Sequence, residues 1–220
     1  MAIGSTRVSK GVLEPNERIS EVLFGLIMVL TFTGSLSVAD AGRDDVRAML
    51  IGALGCNLAW GLIDGIFCLM GSLAEKGSSL KTLQAVRAAS DPKEAERVVA
   101  GALSPWIASA LAPGDLAAIH RRLKQLPDPP ERARLSLADW AGALAVFLLV
   151  FLSTFPVAVP FLFMSDVPSA MRASNAVAIV LLFGLGFAYG RSVGRSPWGF
   201  GASMVVLGSV LVAITIALGG

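Results

Sequence analysis

Of 220 residues, 55% are hydrophobic and only 15% are charged, against about 45–50% and about 25% in an ordinary soluble domain. That balance excludes a soluble globular domain and indicates an all-α integral membrane protein. The net charge of +2 says little as a sum, but its distribution along the chain sets the orientation.

Residues 1–19 are a polar lead in which Pro15 and Asn16 precede Glu17 as a helix start. Glu14, Glu17 and Glu21 fall near one face at helical spacing. Residues 20–40 form a first spanning segment, of a length suited to a hydrocarbon core of about 30 Å. Its second half is hydroxyl-rich, with Thr31, Thr33, Ser35 and Ser37. Residues 41–47 are a short polar hairpin, so the second span, 48–74, packs antiparallel to the first.

Asp64 is the only formal charge in that second span. A lone carboxylate in the bilayer costs roughly 2.5–3.5 kcal/mol, so it is expected to face protein or a water-filled cavity and to be functional. The plainer reading is a hydrogen bond across a helix pair. Asn57, Asp64 and Cys68 recur at i, i+7 and i+11, on one helix face. Gly61 and Gly65 form a GxxxG spacing that admits a close helix neighbour. Cys56 and Cys68 are about 18 Å apart along one helix, too far for a disulfide.

Residues 75–138 are a polar insert, read as a small helical domain that leans on its own copy in a second subunit. Ser78 or Ser79 is expected to cap a helix carrying Leu80, Leu83 and Val86. Asp91-Pro92 with Glu94 marks a second start, and 105–111 and 115–126 read as two short helices before the linker Pro127–Pro130. His120, beside Arg121 and Arg122, reads as part of a solvated face. The insert's ten basic residues are interleaved with eight acids between Glu75 and Asp139, so no nucleic-acid partner is expected. Residues 139–164 form a third span interrupted by Pro156 and Pro160, which should kink it. Spans at 172–192 and 198–218 complete five, giving units at 1–74, 75–138 and 139–220.

With the N-terminus inside, fifteen lysines and arginines lie on the cytoplasmic side and three (Arg43, Arg47 and Arg172) outside, as the positive-inside rule requires. Counted inward from Ser20, the depth of Asp64 falls near Leu30, between Met28 and Thr31. Convergence of Asp64, Asn57, Cys68, Met28 and Thr31 would give a mixed oxygen and sulfur environment: the sulfur suits copper(I) or zinc, the carboxylate and carbonyl oxygens suit manganese, magnesium or calcium, and the mixed set is compatible with ferrous iron. There is no P-loop and no GxSxG, so neither enzymatic chemistry nor a resident cofactor is expected.

Glu21-Val22-Leu23-Phe24-Gly25-Leu26 and Gly71-Ser72-Leu73-Ala74-Glu75-Lys76 resemble the opening helix and the end of the second helix of the vacuolar iron transporter family, and the overall layout is similar too. The resemblance implies five spans, a cytoplasmic insert between the second and third, N-in and C-out topology, and a homodimer in the bilayer, here a bacterial inner membrane. Two departures stand out. Ile27 and Met28 occupy positions where the family carries an Asn-Asp pair. The insert has Glu75, Glu94, Glu96 and Glu131 but no methionine.

The resulting expectation is a transporter exporting Fe²⁺ or Mn²⁺, with protons as the candidate counter-ion. Asp64 would bind the ion, Thr31, Met28, Asn57 and Cys68 would line its path, and Glu17, Glu21, Glu75, Glu94 and Glu96 would collect cations at the inner mouth. The alternatives are a non-transporting scaffold whose insert docks a cytoplasmic partner, and a transporter of a non-metal solute using Ser153, Thr154 and Asn175.

Overall fold

Long apolar runs fold as helices in lipid because each backbone N–H and C=O must find its partner within its own segment. The computed structural model describes residues 15–34 and 43–217, with nine helices and no strand among them. In order these are α1 (Pro15–Gly34), α2 (Arg43–Ala88), α3 (Pro92–Ala102), α4 (Pro105–Ala110), α5 (Pro113–Lys124), α6 (Leu137–Leu152), α7 (Thr154–Phe163), α8 (Val167–Ser192) and α9 (Pro197–Ala217). Among the described residues four stretches are long and apolar enough to cross a bilayer: Asp44–Ala88, Leu137–Phe163, Val167–Ser192 and Pro197–Ile214. α1 covers most of the expected first span, and residues 35–42 lie outside the described set.

The chain divides into two units, residues 69–137 and the remainder. In the larger unit, Leu26, Val29 and Leu30 of α1 pack with Ala53, Val157, Ala178 and Leu182. Small residues permit the close approaches. A Cβ on Gly186 of α8 would lie 2.7 Å from the Phe200 carbonyl oxygen of α9, the small-residue contact expected where lipid gives no hydrophobic drive to helix pairing. The α8–α9 turn uses Gly194 at φ +68°, a left-handed closing position that glycine adopts without steric cost.

The third span breaks at Ser153, between α6 and α7, rather than at the expected Pro156 or Pro160. A proline ring clashes with the carbonyl four residues earlier, and for Pro156 that residue is Leu152. The distortion therefore appears one turn ahead of the proline that causes it. Pro160 stands inside α7, and its carbonyl accepts from the Met164 N–H at 2.9 Å.

In the smaller unit, Asp91 caps α3 as expected, its carboxylate accepting from the Lys93 N–H at 3.0 Å. The expected helix start at Ser78 or Ser79 is absent, because α2 continues through both to Ala88. An exposed serine interrupts a helix only when its side chain competes for the backbone. Here the Ser78 carbonyl accepts from Thr82 Oγ1 at 3.0 Å within the same helix. Val86, Ala95 and Val99 form the core with Leu116, Ile119 and Leu123. Arg87 donates to the Leu123 carbonyl, 3.3 Å, and the Pro127 carbonyl, 3.1 Å, and also to the Leu126 carbonyl. A cation thus meets the carbonyls at the end of α5. His120 is buried at 7% exposure with Nε2 unpartnered, which corrects its expected place on a solvated face.

Candidate functional site

Two polar side chains of α2 define the candidate site. Asn57 is 1% exposed. Its Nδ2 donates to the Gly25 carbonyl of α1, 3.1 Å, and to Thr154 Oγ1 of α7, 2.5 Å. The Gly25 carbonyl can only accept, so the amide nitrogen must face it, and Oδ1 is left buried without a hydrogen bond. The absence of a side chain at Gly25 makes this possible, since a Cβ there would lie 2.0 Å from Ser153 Oγ and 2.5 Å from the Val150 carbonyl oxygen. Ser153 Oγ donates to that same Val150 carbonyl at 2.6 Å. On the next helix Ser174 Oγ donates to the Val157 carbonyl at 2.8 Å, and Asn175 Oδ1 is also buried without a partner. Polar ties therefore gather where the third span breaks.

Asp64 lies two turns along α2 from Asn57, about 10 Å, and is half-buried. Among the described residues it has no hydrogen bond or ion pair. Gly61 and Gly65 on either side of it pack against α6, where added Cβ atoms would sit 3.0 Å from the Phe147 carbonyl oxygen and 3.1 Å from that of Ala143. The GxxxG spacing thus serves helix packing and holds Asp64 close to α6.

The contacts between α1 and α2 set their register. Asn57 opposes Gly25, and the Phe24 and Trp60 rings meet edge to face at 5.5 Å. Counting antiparallel from these pairs places Asp64 beside residues 18–20 of α1, not near Leu30. The expected convergence of Met28 and Thr31 on Asp64 is therefore corrected. They lie about ten residues further along α1, and Thr31 Oγ1 donates back to the Met28 carbonyl at 2.7 Å. Mid-span is held by Asn57, because Gly25 packs against Val150, at the centre of Leu137–Phe163. Cys68 is half-buried one turn beyond Asp64, and neither cysteine is in a disulfide.

Of the cation-collecting glutamates, Glu75 is exposed on α2, Glu94 is exposed and Glu96 half-buried on α3, and Glu21 is half-buried on α1. The side chain of Glu17 lies outside the described residues. Among the described residues no three His, Cys, Asp or Glu side chains gather in a metal-holding group. Gly25, Ser153 and Thr154 join the site although the metal-path reading of the sequence did not include them. Their signal was a Ser-Thr pair just ahead of Pro156 in an otherwise apolar run.

A bundle of long apolar helices tied at mid-depth by an amide, with a carboxylate in a spanning helix that has no partner among the described residues, defines a polytopic membrane protein with a polar interior. A sequence profile of the VIT family matches residues 68–220. The match covers more than half of the chain, and the protein belongs to that family. Membership points to a membrane transporter of metal ions. No curated protein matches the chain.

Proposed function

We propose that this protein exports a divalent metal ion, Fe²⁺ or Mn²⁺, from the cytoplasm as a homodimer, in exchange for protons. It is not an enzyme and holds no resident cofactor. Its N-terminus faces the cytoplasm of a bacterial cell and its C-terminus the outside of the inner membrane. The observation that carries this reading is Asp64, the sole charge in the span 48–74 and without a partner among the described residues. A charge kept in a spanning helix at a cost in free energy, without the ion pair that would offset it, has its use in meeting a mobile cation. Asn57 Oδ1, a buried amide oxygen without a donor two turns further in, is a hard ligand of the kind that suits Mn²⁺ and, in mixed sets, Fe²⁺. Cys68 precedes Asp64 on the route from the insert, and Glu21, Glu75, Glu94 and Glu96 raise the local cation concentration.

The test is metal flux into proteoliposomes under a pH gradient, with Fe²⁺, Mn²⁺, Zn²⁺ and Co²⁺. Flux of one ion by the wild type, lost in Asp64→Asn protein of unchanged helicity and elution volume, is the expected result. No flux for any metal from folded protein, or full flux from the variant, would overturn the proposal. One observation favours a scaffold instead: Trp106 and Ile107 of α4 are 86% and 55% exposed in a stretch without charge, as a docking surface would be.

A further inference from the structure

The last two spans meet at a short turn that carries charge of one sign only. From Val167 to Gly220 the sequence holds three cations, Arg172, Arg191 and Arg195, and no aspartate or glutamate. Arg191 and Arg195 flank the turn between α8 and α9, and both are exposed. Neither has a hydrogen bond or an ion pair among the described residues. The apolar stretches Val167–Ser192 and Pro197–Ile214 stop on either side of it, so the turn stands at the edge of the hydrocarbon core.

Hydrogen bonds fix the backbone under both arginines. The Arg195 N–H donates to the Gly190 carbonyl at 2.9 Å and the Val193 N–H to that of Tyr189 at 3.0 Å, closing α8 around the left-handed Gly194. Beneath the turn the helices touch, since a Cβ on Gly190 would lie 3.0 Å from Pro197 Cα and 3.1 Å from the Ser196 carbonyl oxygen. Trp198, in the first turn of α9, is 69% exposed, and its ring lies 5.3 Å from that of Phe187 and 5.8 Å from that of Phe183. Phe187 and Phe183 precede Arg191 by one and two turns, about 6 and 12 Å along α8. An aromatic shelf therefore descends from the two arginines into the core, with Trp198 at the depth where aromatic belts meet the headgroups.

We propose that the α8–α9 turn binds a phospholipid with two phosphates, of the diphosphatidylglycerol type, with one phosphate on each guanidinium and an acyl chain along the shelf of Trp198, Phe187 and Phe183. Two cations at the membrane surface, with no acid on either helix to neutralise them, draw their counter-charge from anionic headgroups. Each planar guanidinium pairs with two oxygens of one phosphate, so two arginines match two phosphates. The turn is already closed by its backbone bonds, so binding orders only the side chains. The bound lipid in turn ties the hairpin of α8 and α9 to the bilayer surface.

The full-length protein in mild detergent tests this by native mass spectrometry and thermal unfolding, with diphosphatidylglycerol, phosphatidylglycerol, phosphatidylcholine and soluble glycerol phosphate as probes. At about fivefold for each arginine engaged, diphosphatidylglycerol is expected to be retained roughly 30-fold more strongly than phosphatidylcholine, and phosphatidylglycerol about fivefold. Diphosphatidylglycerol should also raise Tm, and glycerol phosphate should not. Arg191→Gln and Arg195→Gln should each bring the diphosphatidylglycerol ratio down to about fivefold, and the double variant should bring it near one. Arg172→Gln, at the opposite end of α8, should leave the ratio unchanged, and Trp198→Ala should weaken retention of every lipid alike. Equal retention of the lipids by wild type, an unchanged ratio in the double variant, the same fall in Arg172→Gln, full retention by Trp198→Ala, or glycerol phosphate matching the lipid would overturn the proposal. So would efficient inter-subunit disulfide formation by Arg195→Cys in native membranes, which would seat a second copy there.

Discussion

Asn57 Nδ2 lies 2.5 Å from Thr154 Oγ1 and 3.1 Å from the Gly25 carbonyl oxygen, so one side chain of α2 donates to both α7 and α1. Interhelical hydrogen bonds in membranes average about 0.6 kcal/mol and reach about 1.7. Asn57→Leu should therefore cost about 1–2 kcal/mol of unfolding free energy. Asn57→Asp should cost more, because an ionised carboxylate has no proton to give the Gly25 carbonyl. Thr154→Val removes only one acceptor and should cost less than either. Unfolding titrations in mixed micelles, run as a double-mutant cycle with Asn57→Leu and Thr154→Val, would measure the coupling. Additivity would mean that the pair does not interact in the folded protein.

Gly25 and Gly55 should respond oppositely to alanine. A Cβ at Gly25 meets Ser153 Oγ at 2.0 Å and the Val150 carbonyl oxygen at 2.5 Å, whereas one at Gly55 meets nothing within 4 Å. The serine can turn away, but the carbonyl belongs to the backbone of α6 and cannot. Gly25→Ala should cost about 1–3 kcal/mol as overpacking, lowering Tm by roughly 2–4 °C per kcal/mol. Gly55→Ala should be neutral or gain up to about 1 kcal/mol in helix propensity. Ser153→Ala should rescue Gly25→Ala only in part. Thermal melts of the three variants decide it.

The last two spans and the start of α3 were legible because their signals are local: apolar runs of spanning length, and Asp91 ahead of Pro92. The continuation of α2 past Ser78 was not, since an exposed serine is nearly neutral in a helix and hydropathy falls there without any break in the backbone. Nor was the depth of Asp64. Counting inward from a helix end assumes that two helices start level, but the actual register is set by the missing side chain at Gly25 and the amide of Asn57. His120 was misplaced because Arg121 and Arg122 dominate its neighbourhood. The stripe Leu116, His120, Leu123 has the i, i+4, i+7 spacing of a buried face and was the better guide.

The start of α8 should depend on pH through Asp166. This carboxylate accepts hydrogen bonds from Ser169, including its N–H at 3.0 Å, and lies near Arg172, which together hold its pKa below the ordinary 3.8. A carboxylate whose pKa falls on folding contributes fully above its unfolded value, and that contribution is lost as pH drops through the lower folded value. Amide exchange at Ser169 and Ala170, corrected for intrinsic rates, should therefore lose protection in acid and be flat from pH 5 to 8. Asp166→Asn keeps an acceptor for the cap but cannot ionise, so it should abolish the acid dependence. Protection lost equally in both proteins would place its cause elsewhere.

Asp64 should be a residue at which stability and activity oppose each other. It lies about 10 Å from the mid-span level of Asn57, where a carboxylate costs less than the roughly 2.5–3.5 kcal/mol charged at the bilayer centre. Among the described residues no ion pair offsets that cost. Asp64→Asn removes the charge and keeps the shape, so it should raise stability by about 1 kcal/mol, or Tm by roughly 2–4 °C. The same variant should lose metal flux. A residue that only ties helices together would behave in the opposite way, with Asp64→Asn lowering Tm and flux falling only as far as the amount of folded protein falls. Measuring Tm and flux on one preparation separates the two roles, because a more stable but inactive variant is expected only if the carboxylate is kept for the ion.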